Sequence, residues 1–176
     1  MSELIILTGA TGWVGRNFLH QLQLRFTRDE YKKRVLAFGS KSQIIRSTGY
    51  QSEEQIEIYP LSSMKDILKN KNNLLFIHTA FLTRDKLEKY GIKTYIESNR
   101  EITKIVRETL SSSSNSKSVV ISSGAATSHE EKTSINNSIV KDPYGFLKLE
   151  EENSLKSISN CLILRLYALT GRFIRD

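Results

Sequence analysis

The stretch IILTGATGWVGRNFL (residues 5–19) decides how this chain is read. An apolar, β-branched run is followed at once by three glycines, Gly9, Gly12 and Gly15. A strand that turns sharply into a helix uses glycines in three ways: for the tight turn, for close approach of a ligand to the backbone, and for packing the helix on the sheet. The helix N-terminus then offers free N–H groups and a favourable dipole to an anion. A phosphate lying on the turn makes use of all three glycines, with Thr11, Trp13 and Val14 beside it. The spacing is GxxGxxG rather than GxGxxG, so taken alone it also fits a tight turn with nothing bound.

Outward from this turn, short apolar runs recur with helix-length segments between them. They are LIIL (4–7), RVLAF (34–38), IEIY (56–59), LLFI (74–77), SVVI (118–121) and CLILRL (161–166). This alternation predicts an α/β fold: a doubly wound parallel sheet of about six strands with helices on both faces. The clearest helix is TYIESNREITKIVRETL (94–110), in which Ile96, Ile102, Ile105, Val106 and Leu110 share one stripe. It is expected to end at the polar loop SSSSNS (111–116).

The totals are those of one globular domain: 176 residues, 39% hydrophobic and 26% charged. Lys and Arg number 26 against 19 acids, a net charge of +7 that suits an anionic ligand. The cations are scattered, as in YKKR, KNKNN and TRDKLEK, and no basic tract is interleaved with aromatics. A phosphate-bearing small molecule is expected, not a nucleic acid. No apolar run approaches the ~20 residues of a membrane span, and Leu4 to Leu7 is too short for a signal peptide, so no membrane association and a cytoplasmic location are expected. Cys161 is the single cysteine, which excludes an internal disulfide, and its apolar neighbours predict a buried small hydrophobe. His20 and His129 form no pattern with metal-ligand spacing, and no metal site is expected.

Further motifs follow in a fixed order. TGATGWVG (8–15) is followed by IHTAF (77–81), by Asn99 in the long helix, by VVISSGAA (119–126), by DPYGFLKLEEE (142–152) and by LILRLYALTG (162–171). Together these resemble the short-chain dehydrogenases/reductases, in particular the extended branch of NAD(P)-dependent nucleotide-sugar epimerases, dehydratases and reductases. The resemblance covers nearly the whole chain.

Tyr144 and Lys148 are four residues apart and so share one helix face. An ammonium near a phenol favours the phenolate, giving an acid/base usable near neutral pH. A hydroxyl at the end of the fifth apolar run would hold the reacting oxygen. Ser123 is the choice and Ser122 the reserve, and a register that brings Gly124 to this place stays open. The resemblance implies that Lys148 reaches the cofactor ribose, that Asn99 organises backbone and water near the site, and that His78 packs beneath the cofactor in a structural role. It also implies cofactor contacts from Thr79 and Ala80, and from Leu61 in IYPLSS, where the acid of the family's Asp-Leu pair is missing.

At the end of the second run, Gly39 and Ser40 stand where an acid for a ribose 2′-hydroxyl is expected, with Lys41 next. NADP is therefore preferred to NAD. The dehydratase members carry an Asp-Glu pair after the serine-motif hydroxyl, and SSGAA has neither acid. The expected activity is 4-keto reduction or C4 epimerisation of a nucleotide sugar. A non-catalytic NADP-binding module or sensor is the alternative. The resemblance further implies a homodimer, and a smaller substrate-binding portion beyond the sixth strand. The chain stops at GRFIRD, so residues 1–176 are expected to form the NAD(P)-binding Rossmann domain with the C-terminal substrate-binding portion absent.

Overall fold

The computed structural model describes residues 3–46, 55–113, 115–130, 139–170 and 173. Ser114 of the polar loop and Gly171 of the last motif lie outside them. Each apolar run becomes a strand. The strands are β1 (Leu4–Thr8), β2 (Val35–Gly39), β3 (Gln43–Arg46), β4 (Gln55–Pro60), β5 (Leu74–His78), β6 (Ser116–Ser123) and β7 (Cys161–Leu166). They form one seven-stranded sheet in the order β3-β4-β2-β1-β5-β6-β7, parallel except for β3. The strand order reverses between β1 and β5, and in open parallel sheets such a point opens a crevice for ligands at the carboxyl ends of the strands.

The extra strand β3 runs antiparallel to β4 at the outer edge, pairing Ile45 with Ile56. It is only four residues long and Ile44 is 62% exposed, so it carries too little periodic apolar signal to be read from sequence.

Among the described residues the helices that flank the sheet include α1 (Trp13–Arg25), α2 (Arg28–Arg34), α3 (Met64–Leu68), α4 (Asp85–Ser112) and α5 (Pro143–Leu155). A capping box starts α2: Glu30 N donates to Thr27 Oγ1, and Thr27 N donates to Glu30 Oε2 at 2.9 Å. Its last turn holds Lys32, Lys33 and Arg34, where cations suit the helix dipole. The long helix α4 begins earlier than its stripe predicts. Gly91 interrupts it with φ 73 and ψ 157, a backbone open chiefly to glycine, and the regular part follows.

Two apolar layers follow from the alternation within the strands. On one face Ile6, Phe38 and Phe76 pack with Leu61, Met64, Val106, Leu110 and Leu155 from α3, α4, α5 and the turn before α3. On the other, Ile5, Leu7, Ala37 and Ile58 pack with Leu19 and Tyr31 from α1 and α2. Towards β7 this second face is open, with Leu162 55% and Leu164 39% exposed. Cys161 is half-buried against the first layer. No helix among the described residues is long and apolar enough to cross a membrane.

Candidate active site

Register brings the ends of β1 and β5 together, pairing Thr8 with His78. The next residues make the glycine turn. Gly9 has φ +73, and a Cβ there would stand 2.6 Å from Thr79 C and Ala80 N. A Cβ on Gly15 would stand 2.1 Å from Gly9 O. The turn is closed by Gly12 N donating to Gly9 O at 2.9 Å and tied to β2 by Ala10 N donating to Phe38 O at 3.0 Å. Gly12 differs from the other two. It is the exposed N-cap of α1, its φ of −75 and ψ of 167 suit any residue, and a Cβ would meet only Gly9 O, at 3.3 Å.

The first turn of α1, at Trp13, Val14 and Gly15, therefore presents uncapped N–H groups, and no acid lies within it. This is a cradle that fits the phosphates of a dinucleotide. Gly39 meets the turn from the side: its Cβ position is 3.6 Å from Thr11 Cγ2, and Ser40 and Lys41 follow it, exposed. Thr79 Oγ1 donates to Thr8 O at 2.7 Å and Ala80 is half-buried beside the turn. Leu61 lies in the core beside Phe38 and Met64, 8% exposed.

A second recess, an open cleft of about 590 Å³, is lined by Thr83, Arg84, Ser123, Gly124, Tyr144 and Tyr167 among others. Strand alternation separates the two serines. Ser122 is buried and its Oγ donates to Glu152 Oε1 at 2.5 Å, whereas Ser123 reaches the cleft. Ser123 Oγ accepts from Ala125 N at 3.2 Å, which leaves its own hydrogen for a ligand. Gly124 also lines the cleft, but the ring of Tyr167 lies where its side chain would be, 2.4 Å from the Cβ position.

Tyr144 sits at the start of α5, half-buried, its ring edge-on to Phe81 at 5.7 Å and covered by Arg84 at 5.1 Å. Asp142 caps this helix, accepting from Gly145 N at 3.2 Å, and pairs with His129 at 3.0 Å and Arg84 at 3.4 Å. Burial raises the Asp142 carboxyl, but the hydrogen bonds from His129 and Gly145 and the charge of Arg84 outweigh it and hold the group below the ordinary carboxylate value.

Lys148 is 4% exposed and its ammonium is fully engaged. It donates to Glu151 Oε2 at 2.8 Å and to Ile121 O at 3.0 Å, and lies 3.9 Å from the centre of the Phe81 ring. Glu151 Oε1 in turn pairs with His78 Nε2 at 3.1 Å, and His78 Nδ1 with the Thr8 hydroxyl at 2.6 Å. His78, 1% exposed, is thus a structural link between β1 and α5. Burial raises the Glu151 carboxyl, yet the Lys148 ammonium and His78 overcome this and keep it below its ordinary value.

Asn99 is 1% exposed and clamps the loop that carries Phe81 and Arg84: Leu82 N donates to Asn99 Oδ1 at 2.8 Å. Tyr95 OH donates to Leu82 O at 2.7 Å from the same helix, and burial raises this phenol.

Sequence reasoning missed Arg84, Asp142, Glu151, Glu152 and Arg165. The signal was present in KLEEE, where acids three and four residues after Lys148 fall on its own helix face. Arg165 joins Glu152 at 2.6 Å and Glu130 at 2.7 Å, and these hydrogen bonds raise its already high value.

No protein-family model and no curated protein matches the sequence. Solved structures do share the fold. UDP-glucuronic acid 4-epimerase from Bacillus cereus, in complex with NAD, has a TM-score of 0.58 at 17% identity, over 97% of this chain and 58% of that one. For dTDP-4-dehydrorhamnose reductase from Bacillus anthracis, in complex with NADP, the values are 0.54 and 18%, over 100% and 57%. For L-threonine 3-dehydrogenase from Trypanosoma brucei they are 0.62 and 15%, over 94% and 53%. The chain thus spans a little over half the length of these proteins and shares their Rossmann-type fold.

Proposed function

We propose that this chain, whose fold is that of the extended short-chain dehydrogenases/reductases, is the dinucleotide-binding and acid/base part of an oxidoreductase or epimerase acting on a nucleotide sugar. The observation that carries the reading is that Ser123 and Tyr144, singled out by their motifs, line one cleft. In this reading residues 1–176 form the NAD(P)-binding domain, and the rest of the nucleotide-sugar site lies on a further portion like that of the longer relatives.

The exposed Gly12, the first turn of α1 and Thr11 would hold the pyrophosphate, and Asn99 keeps the neighbouring loop in place. Ser40 and Lys41, with no acid beside them, favour NADP over NAD. A bound nicotinamide supplies hydride exchange with a carbon of the substrate. The chain's own part is the proton: the Tyr144 hydroxyl exchanges it with the substrate oxygen, which also accepts a hydrogen bond from Ser123 Oγ.

Lys148 supports a second reading, a binding module without turnover, because its ammonium is taken up by Glu151 and Ile121 O. Trp13, the only tryptophan, lies in the glycine turn and reports on binding in either case. Energy transfer from Trp13 to added NADPH should saturate, and at lower concentration than with NADH. Absence of transfer to both would overturn both readings. Turnover of a 4-keto nucleotide sugar that is lost in Tyr144→Phe while Trp13 transfer is kept supports the enzyme, and binding without turnover supports the module.

A further inference from the structure

We propose that the cleft beside Tyr144 selects a ligand carrying a carboxylate next to its reacting hydroxyl, a hydroxy-acid unit such as a uronic acid, and that Arg84 is the residue that selects it. The inference rests on the reading above, in which Tyr144 and Ser123 face the reacting oxygen.

Among the described residues that line the cleft, Arg84 is the only cation. Lys148, the cation expected from sequence, is closed off by Glu151, Ile121 O and Phe81. Arg84 has the opposite character. Its side chain is 64% exposed, and one nitrogen, Nη2, reaches Asp142 at 3.4 Å. That is the longest of the Asp142 contacts, since His129 and Gly145 N lie at 3.0 and 3.2 Å. The side chain lines the cleft, with its Cζ 5.1 Å from the centre of the Tyr144 ring.

The other charge on the wall is Asp85, 61% exposed, whose carboxylate is paired with the Thr83 hydroxyl and with Lys86 Nζ at 2.6 Å. Those contacts hold the Asp85 carboxyl below its ordinary value, so it stays an internally paired anion. A ligand in the cleft thus meets one guanidinium, one carboxylate already neutralised by Lys86, the Ser123 and Tyr144 hydroxyls, and the Tyr167 ring, 78% exposed.

A planar fork pairs bidentately with carboxylate or phosphate. Here one guanidinium, partly offset by Asp142, balances a single negative charge better than the two of a phosphate monoester. The guanidinium also stands over Tyr144 itself, so the anion it holds is carried on the reacting part of the ligand and is distinct from the dinucleotide phosphates assigned to the glycine turn.

The test compares UDP-glucuronate with UDP-glucose, which share the diphosphate and differ in the carboxylate, by calorimetry on the full natural chain. Wild type should bind the uronate at least about tenfold more tightly. Arg84→Gln should remove that preference and Arg84→Lys should keep part of it, with thermal unfolding unchanged because an exposed ion pair contributes little to stability. Equal affinities in wild type, or an undiminished preference in Arg84→Gln, would overturn the proposal. So would an equal loss for both ligands, which would assign Arg84 to the diphosphate.

Free D-glucuronate against D-glucose forms a second arm. A preference for the free acid, also lost in Arg84→Gln, with no binding of either UDP-sugar, would support the carboxylate site and identify the ligand as a free hydroxy acid. No binding in either arm would overturn the proposal. Failure of Trp13 transfer with both dinucleotides, while the carboxylate preference persists, would remove the oxidoreductase reading and leave the anion site standing.

Discussion

Gly9 and Gly12, three residues apart in one turn, meet opposite demands. Gly9 holds a left-handed backbone against Thr79 and Ala80, so Gly9→Ala meets both strain and backbone collision. Urea unfolding of that variant should show a loss of about 2 kcal/mol or more. Gly12 is exposed with an ordinary backbone, and Gly12→Ala should stay within about 1 kcal/mol of wild type. The same Gly12→Ala should nevertheless weaken Trp13-detected NADPH binding at least about tenfold, because the added methyl stands where the phosphates would lie. A Gly12→Ala variant that binds normally would remove the phosphate from this turn. Among charged residues the contrast is between Arg84, open on one side, and Lys148, sealed on all. Lys148→Met leaves the buried Glu151 carboxylate without its cation and with His78 alone, and should cost about 3–5 kcal/mol. The double variant Lys148→Met/Glu151→Leu should recover most of that loss in the same denaturation experiment. The Glu151 carboxyl is held low in the folded protein, so its contribution is complete above its unfolded value of about 4.3 and is lost as pH falls below it. Glu151→Gln should flatten this acid limb, read as thermal midpoint against pH from about 6 down to 3.

Between elements, two buried polar chains fix the helix that bears Tyr144. One runs from Thr8 on β1 through His78 on β5 to Glu151 and Lys148 on α5. The other joins Ser122 on β6 and Arg165 on β7 through Glu152 on α5. The first ties the helix to the strand that feeds the glycine turn, and the second ties it to the strand that carries Ser123. Both sets of contacts use the parallel register, which brings Thr8 opposite His78 and Ser122 opposite Arg165. Among the described residues, Arg165→Met leaves the buried Glu152 carboxylate with the Ser122 hydroxyl alone, and a loss of about 3 kcal/mol is expected. Proton-exchange protection of the α5 amides should fall along with global stability. If Arg165→Met leaves both unchanged, the second chain does not hold α5.

At the scale of the whole molecule, the two recesses lie at the carboxyl ends of the parallel strands, with Gly9 after β1, Thr79 after β5 and Ser123 at the end of β6. A ligand that binds only this assembled arrangement raises stability by mass action. NADPH at about a hundred times its dissociation constant should contribute about 2.7 kcal/mol. For a domain of this size that raises the thermal midpoint by about 5–10 °C, measurable by calorimetry. NADH at the same concentration should give a smaller rise if Ser40 and Lys41 favour a 2′-phosphate. An equal or larger rise with NADH would reverse that preference.

Much of this architecture was written in local pattern. The six apolar runs, the glycines of the first turn and the helical spacing of Tyr144 and Lys148 are short-range properties, set by side-chain periodicity and backbone freedom. They led to the right sheet class, missing only β3, whose four residues alternate between half-buried and exposed and depend on β4 for their hydrogen bonds. Asn99 shows the middle case. Its place in a long helix was legible, but its burial against Leu82 was not, because that loop returns from β5. The partners of the charges belonged wholly to the tertiary structure. Alternation puts Ser122 and Ser123 on opposite faces of β6, but nothing local says which face is covered or tells Lys148 from Arg84; packing of α5 on β6 buries Ser122 and Lys148, while Ser123 and Arg84 line the cleft. Electrostatic environment depends on what lies across space, and for these residues the neighbours that decide it come from β5, β6 and β7.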